Sequence, residues 1–371
     1  MKLAQVGLIT ILTISGAFAD GDIAPAALVP VVETVAQSSD TTINGEARAY
    51  YYTWEGADLF DSENSQLAAS IILDVSHTLI EGITANFSAV GAVNFMDDAG
   101  YMEGSETEAF INIANITATF GDTTLVAGRQ FLNTPMLLGS GWLLARGSFE
   151  AYTLVNKSIS NLTLIGSYIA KLRNNNSGDN FVDLTDIGDG NNWAVSAAYS
   201  DAFDANIWYY NVDASEYTQI YIDTSKEFSG VKLEGQYIAT DYNTDPDSTA
   251  YGVKVSASLS NVNLSVAYNK VEDAAAGHVG LDSLYASSWN ILAADIVDDS
   301  WKIAASTDFA GLDAELSYAI YGEEGSELDL ILGYKITDSF SVEAILSSTD
   351  YTYTVSDDAE NAFEFMAAYT F

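Results

Sequence analysis

The chain has no cysteine among its 371 residues. Disulfides, thiolate metal sites and cysteine nucleophiles are excluded, and the absence suits a protein that crosses an oxidising compartment, where stray thiols mispair. Proline is scarce, at 4 residues, which leaves room for long, uninterrupted strand ladders. Basic residues are few: 13 Lys and Arg stand against 52 Asp and Glu, for a formal charge of −39. Phosphate contacts need clustered cations, so this balance argues against nucleic acid as a partner. Beyond the N-terminus no apolar run reaches the roughly 18 residues of a membrane helix.

What the chain does have is aromatic residues, 22 Tyr, 16 Phe and 6 Trp, and a hydrophobic fraction of 48%. Residues 1–19 read as an export signal: Lys2 supplies the basic start, residues 3–14 the short apolar stretch, and Ala17-Phe18-Ala19 the small-x-small cleavage pattern. Residues 20–41, with Pro25 and Pro30, read as a short N-terminal periplasmic extension, and 42–371 as one domain.

In that domain the hydrophobic pattern has period two. In 312–321, Leu312, Ala314, Leu316, Tyr318 and Ile320 alternate with Asp313, Glu315 and Ser317. In 327–336, Leu328, Leu330, Leu332, Tyr334 and Ile336 alternate with Glu327, Asp329 and Lys335. One face is apolar and the other charged, and buried charges need partners, so the charged face does not belong to an ordinary soluble core. Segments of this kind recur at 43–54, 66–78, 83–94, 106–120, 123–130, 149–158, 162–171, 192–200, 205–212, 217–228, 231–242, 249–260, 262–271, 300–309, 312–321, 327–335, 340–349 and 362–371. Most approach the roughly 9–11 residues of a tilted membrane strand. Minimal turns (Gly121-Asp122, Ser229-Gly230, Ser260-Asn261, Ala310-Gly311) alternate with longer polar loops such as 172–191, 272–299 and 350–361. Short turns on one side and long loops on the other predict an all-β, antiparallel transmembrane β-barrel of 16–18 strands, about 18. The last strand places Phe363, Phe365, Ala367, Tyr369 and Phe371 on one face, an ending similar to the signal that outer-membrane assembly machinery reads. Tyr237, Tyr268, Tyr318, Tyr334 and Tyr369 are expected as interfacial girdles.

A barrel of this size encloses an aqueous channel. Strand parity sends Glu46, Arg48, Lys232, Glu234, Lys254, Lys302, Asp313, Glu315, Asp329, Glu343 and Glu364 into it. Acids outnumber bases there, which predicts cation preference. The segment 131–147 differs from the other loops: Phe131, Leu132, Pro135, Met136, Leu137, Leu138, Trp142, Leu143 and Leu144 give it an apolar content, and it holds no acid. Exposed, it would aggregate or bind something; folded inward, it would be buried as the third long loop, placing Asn133 and Arg146 at a constriction.

The block Gly128-Arg129-Gln130-Phe131-Leu132-Asn133-Thr134-Pro135-Met136-Leu137-Leu138 with Phe149-Glu150 resembles the Gly-Arg-Gln…Thr-Pro-Leu…Phe-Glu-Gly block of OprD-type outer-membrane porins. Arg48-Ala49-Tyr50-Tyr51-Tyr52 is similar to their first strand, and Ala267-Tyr268-Asn269-Lys270 to a later segment. The resemblance implies eighteen strands, an inward third loop, Arg129 in the pore, a homotrimer, and passive uptake of small solutes across the outer membrane of a Gram-negative bacterium. Asn133 stands where that family usually has Asp and Ala151 where it has Gly, and the chain has too few cations for the long basic ladder that guides carboxylates in its specific members. A general diffusion channel is therefore expected, with lipid and lipopolysaccharide as surroundings and no cofactor. Loop-bound Ca²⁺ is the one ion considered, at Asp97-Asp98, 241–247 or Asp357-Asp358-Glu360, none with the spacing of a defined calcium loop. The alternatives are a barrel enzyme, for which His77 and His278 are available without a nucleophile-elbow or zincin motif, and an adhesin acting through its loops.

Overall fold

The computed structural model describes residues 40–54, 60, 65–96, 107–139, 141–173, 182–183, 191–244, 246–351 and 359–371. The export signal and nearly all of the 20–41 extension fall outside these residues, as do Asp97, Asp98, Asp357 and Asp358.

Eighteen long strands, from Thr41–Trp54 to Glu360–Thr370, pair antiparallel with their sequence neighbours, and the last pairs with the first. The closing register sets Tyr50 against Met366 and Tyr52 against Glu364, so the sheet has no free edge and is a closed barrel. A short extra strand, Val182–Asp183, pairs with Leu162–Arg173 at the rim. Each segment predicted by period two is a strand here, commonly longer by one or two residues; 66–78, for example, becomes Ser65–Ile80. No helix among the described residues is long and apolar enough to cross a membrane.

Alternation along each strand separates two environments. In Ser248–Leu259, Val253 is 55% exposed on the outside while the adjacent Lys254 is 2% exposed inside. In Leu312–Tyr321, Leu316 is exposed and Glu315 and Ser317 are buried. Apolar outside and polar inside suits a wall with hydrocarbon around it and water or polar groups within. Outward aromatics form a belt toward the long-loop end, where Tyr251, Tyr268 and Trp301 follow one another at ring separations of 6.5 and 4.6 Å. Toward the short-turn end Phe120, Phe228, Phe309, Tyr334, Tyr369 and Phe371 lie exposed.

The short turns owe their tightness to backbone few residues accept. Ser229 and Gly230 have φ of 53° and 82°, and Ala310 and Gly311 have 54° and 81°. Two successive positive φ values match the right-handed twist of the flanking strands. At the opposite end, residues 131–147 fold inward. Residues 272–299, expected as an external polar loop, also fold inward: Leu284, Ala286, Ala293 and Ala294 are fully buried. The interior thus receives two loops instead of one.

Candidate functional site: a lumen narrowed by two inward loops

The first loop is fixed by hydrogen bonds to its backbone carbonyls, which is how an irregular segment can lie inside a barrel without orphaned polar groups. Arg48 donates Nη1 to the carbonyls of Leu143, 2.7 Å, and Gly141, 3.3 Å. Its Nε and Nη2 grip the Glu46 carboxylate at 2.8 and 3.2 Å. Ser70 Oγ donates to Leu144 at 2.7 Å. The Arg146 carbonyl accepts from Asn112 Nδ2 at 2.9 Å and from Arg173 Nη2 at 2.6 Å. Asn112 reaches that position because it is the extra residue of a bulge: the register passes from Ser88 opposite Ile113 to Ala89 opposite Ile111, and a bulge re-aims its side chain. The Asn112 Oδ1 accepts in turn from Ser148 Oγ and Arg173 Nε at 2.6 and 2.9 Å.

All four arginines of the chain stand on or beside this loop. The Arg146 guanidinium lies 4.5 Å over the Phe131 ring, and Arg173 lies 4.7 Å over Phe110. Burial, and then the nearby charge of Arg48, lowers the Arg146 pKa. Arg129 donates Nη1 to the Ile111 carbonyl at 2.9 Å and sits 3.9 Å from Glu150. Asn133 opens a two-residue strand that pairs with Leu137–Leu138.

The second loop crosses the lumen. Near its start, Gln219 Nε2 donates to the Gly277 carbonyl at 2.7 Å, and Ser248 Oγ donates to Ala274 at 2.6 Å. Its centre is organised by Asp282, 4% exposed, whose carboxylate accepts from Leu284 N, Ser287 Oγ and Ala294 N at 2.9, 2.6 and 2.9 Å. His278 Nε2 lies 3.2 Å from Asp295 Oδ1, and Nδ1 lies 3.0 Å from the Gly280 carbonyl. Farther on, Lys302 Nζ donates to the Ser287 carbonyl at 3.0 Å. Trp289 N donates to Asp329 at 3.3 Å and Asn290 N to Glu327 at 2.7 Å. Wall carboxylates therefore hold the tip of this loop, while wall arginines and amides hold the first.

The two loops meet. Leu137–Leu138 runs parallel to Val279–Gly280. Val279 N donates to the Met136 carbonyl at 2.9 Å and Leu281 N to Leu138 at 3.1 Å. Gly280 has φ of 79°, and a Cβ there would lie 2.1 Å from the Leu138 oxygen, so only glycine fits this contact. Lower down, Trp142 and Trp289 stand edge to face at 5.2 Å. Both indoles donate to one carboxylate: Trp142 Nε1 to Glu364 Oε2 at 2.7 Å and Trp289 Nε1 to Oε1 at 2.6 Å. Tyr50 Oη also donates to Oε2, at 2.7 Å.

Of the residues singled out in the sequence, Arg48, Glu234, Lys254, Lys302, Glu315, Asp329 and Glu364 are buried on the inner side of the wall. Asp313 and Glu343 occupy the same parity nearer the short-turn end and are partly exposed. Lys232 pairs with Glu234, and Glu234 stands opposite Lys254 in the register. Arg129 contacts the Ile111 carbonyl and Glu150, away from the Glu364 cluster. His77 is bonded to Thr41 Oγ1 at 2.7 Å near the short-turn end. Within 241–247, Asp247 accepts from Tyr242 N at 3.3 Å, and the described residues contain no group of three or more His, Cys, Asp or Glu placed to hold a metal. Glu327, Trp289 and the second loop were not foreseen as site residues.

No protein-family model matches the sequence, and no curated protein is similar to it. Solved structures are similar in fold. The outer membrane protein OpdK of Pseudomonas aeruginosa superposes with a TM-score of 0.75 at 14% identity, over 90% of this chain and 98% of that one. A BenF-like porin from Pseudomonas fluorescens Pf-5 gives 0.76 at 14% identity, over 89% and 98%. OccAB3 of Acinetobacter baumannii gives 0.73 at 14% identity, over 90% and 99%. OpdK and the related Occ porins are members of the OprD family, the one whose sequence block residues 128–138 resemble. The chain has the closed eighteen-stranded barrel of those porins.

Proposed function

We propose that the protein is an outer-membrane porin that admits small hydrophilic solutes by passive diffusion. The observation that carries this reading is the inversion of the wall: apolar side chains outside, charged and polar ones inside, around a lumen narrowed by two inward loops. The similarity in fold to porins of Gram-negative bacteria supports the location and the channel.

The channel prefers cations. Glu46, Glu234, Asp282, Asp313, Glu315, Glu327, Asp329, Glu343 and Glu364 face inward or lie on the inward loops, against Arg48, Arg146, Arg173, Lys232, Lys254 and Lys302, and a lumen of one dominant sign concentrates counter-ions. The departures from the family block and the scarcity of cations favour general diffusion over guided uptake of carboxylates. The mature protein works as a homotrimer embedded among lipid and lipopolysaccharide, and Phe371 contributes to recognition by the assembly machinery.

Planar-bilayer recording of purified, refolded protein tests both parts. Stable ion-conducting steps are expected, with a reversal potential in a KCl gradient on the cation-selective side. Absence of steps from folded protein refutes the porin reading; an anion-selective reversal refutes the selectivity alone.

A further inference from the structure

Glu364 occupies a particular place. It lies on the last strand, opposite Tyr52 of the first strand, at the seam where the barrel closes. Its carboxylate is 6% exposed and has neutral donors on both oxygens: the indole of Trp142 from one inward loop, the indole of Trp289 from the other, and the Tyr50 hydroxyl from the wall. A buried carboxylate satisfied by oriented donors holds them tightly, because hydrogen bonds to a charged acceptor are stronger than neutral ones and an ion left without its donors would be costly. The two indoles also pack edge to face on each other at 5.2 Å, although their loops leave the wall at strands far apart in the sequence, after Gln130 and after Glu272. Other wall contacts hold each loop separately. Glu364 is the point where one side chain holds both.

We propose that Glu364 is a positioning residue that latches the two inward loops to the closing seam, so that they set the aperture as one unit and open together. This rests on the porin reading and adds to it how the narrow zone is held. The latch is specific in chemistry. Glutamine has nearly the shape of glutamate but only one accepting oxygen, and its amide nitrogen would face an indole N–H, so at least one tryptophan loses its acceptor.

The test is single-channel recording of Glu364→Gln, Trp142→Phe and Trp289→Phe in otherwise unaltered protein, with heat-modifiable gel migration confirming the folded barrel. Each phenylalanine keeps an aromatic ring, though a smaller one, and removes the donor; Glu364→Gln leaves both indoles in place and separates the lost hydrogen bond from lost packing. Losing one charge-assisted hydrogen bond should raise the undocked population about tenfold or more, read as about that increase in the frequency of excursions to higher conductance. Glu364→Gln combined with Trp289→Phe, or with Trp142→Phe, should in at least one of the two cases add little to Glu364→Gln alone, since the glutamine has already removed that tryptophan's contact. An oxidised Leu137→Cys/Val279→Cys pair, placed where the loops run side by side in a chain with no other cysteine, should return Glu364→Gln to quiet current. Folded Glu364→Gln with the wild-type excursion frequency overturns the latch, as does strict additivity with both Trp142→Phe and Trp289→Phe. Should Glu364→Gln not fold, Trp289→Phe alone decides, by the same excursions. Wild-type protein that conducts nothing defeats the porin reading instead, which is a separate result.

Discussion

Replacing Arg48 by methionine removes the cation that joins the first inward loop to the wall while keeping most of the side chain's length. The effect divides in two. The bonds to Glu46, at 2.8 and 3.2 Å, join residues of the same strand and persist whether or not the loop is docked. The bonds to the Leu143 and Gly141 carbonyls, at 2.7 and 3.3 Å, exist only when it is docked. Loop docking should therefore weaken by the worth of one good charge-assisted hydrogen bond and one poor one, about 1.5–3 kcal/mol, which is a ten- to hundredfold rise in the undocked fraction. The barrel as a whole should lose more, about 3–5 kcal/mol, because Glu46 is left as a largely buried carboxylate without its partner. Hydrogen exchange of residues 141–146 in detergent or lipid reads the first quantity, and unfolding in denaturant reads the second. Arg48→Lys, which keeps a donor for Leu143 but loses the fork on Glu46, should restore much of the exchange protection and less of the global stability. Unchanged exchange at 141–146 in folded Arg48→Met would refute the account, since it is Arg48 that ties the Leu143 and Gly141 carbonyls to the wall.

Three further outcomes are expected. Burial disfavours the charged form of His278, but the Asp295 hydrogen bond, the charges of Asp282 and Asp295 and the Gly280 carbonyl outweigh it and raise its pKa above 6.5. A raised pKa means that the ion pair stabilises loop docking below the unfolded value and is lost as pH climbs through the folded one, so exchange of 278–295 should speed up with rising pH beyond its intrinsic increase, and His278→Gln should abolish that excess. Gly280→Ala forces a positive φ on a residue with a Cβ and drives that Cβ into the Leu138 oxygen; a local cost of about 1–3 kcal/mol should separate the loops, seen as lost protection at Val279 and Leu281 while the barrel stays folded. Arg129→Ala should alter conductance and leave heat-modifiable migration as in wild type; an unchanged pore would place Arg129 outside the narrow zone.

The wall was legible in the sequence because its rule is local. Lys254 between Val253 and Val255, or Asp329 between Leu328 and Leu330, announces which way each side chain goes, and a barrel repeats that choice eighteen times. Loop 131–147 was also legible, since a long apolar stretch without an acid has few places to go. Loop 272–299 was not. Its apolar residues, among them Leu284, Tyr285, Trp289, Ile291 and Ile296, are interleaved with Gly, Ser, Ala and Asp, and its acids suggested solvent. The structure resolves this by turning Asp282 inward onto the loop's own backbone, so a charge that looked external organises a buried turn. A signal was there in Trp289 and Tyr285 within a stretch otherwise read as polar. The convergence on Glu364 had no sequence signal at all, because its donors Tyr50, Trp142 and Trp289 lie 314, 222 and 75 residues from it along the chain.

The short parallel pairing of Leu137–Leu138 with Val279–Gly280 has a consequence for biogenesis. Contacts between such distant stretches form late, after the chain between them is in place. Eight strands lie between the two loops, and the carboxylate that secures both arrives with the final strand. A half-inserted intermediate would thus be an open trough without a finished throat, and the narrowing of the passage would coincide with sealing of the cylinder. Leakage through immature copies is then limited by how fast the last hairpin is delivered.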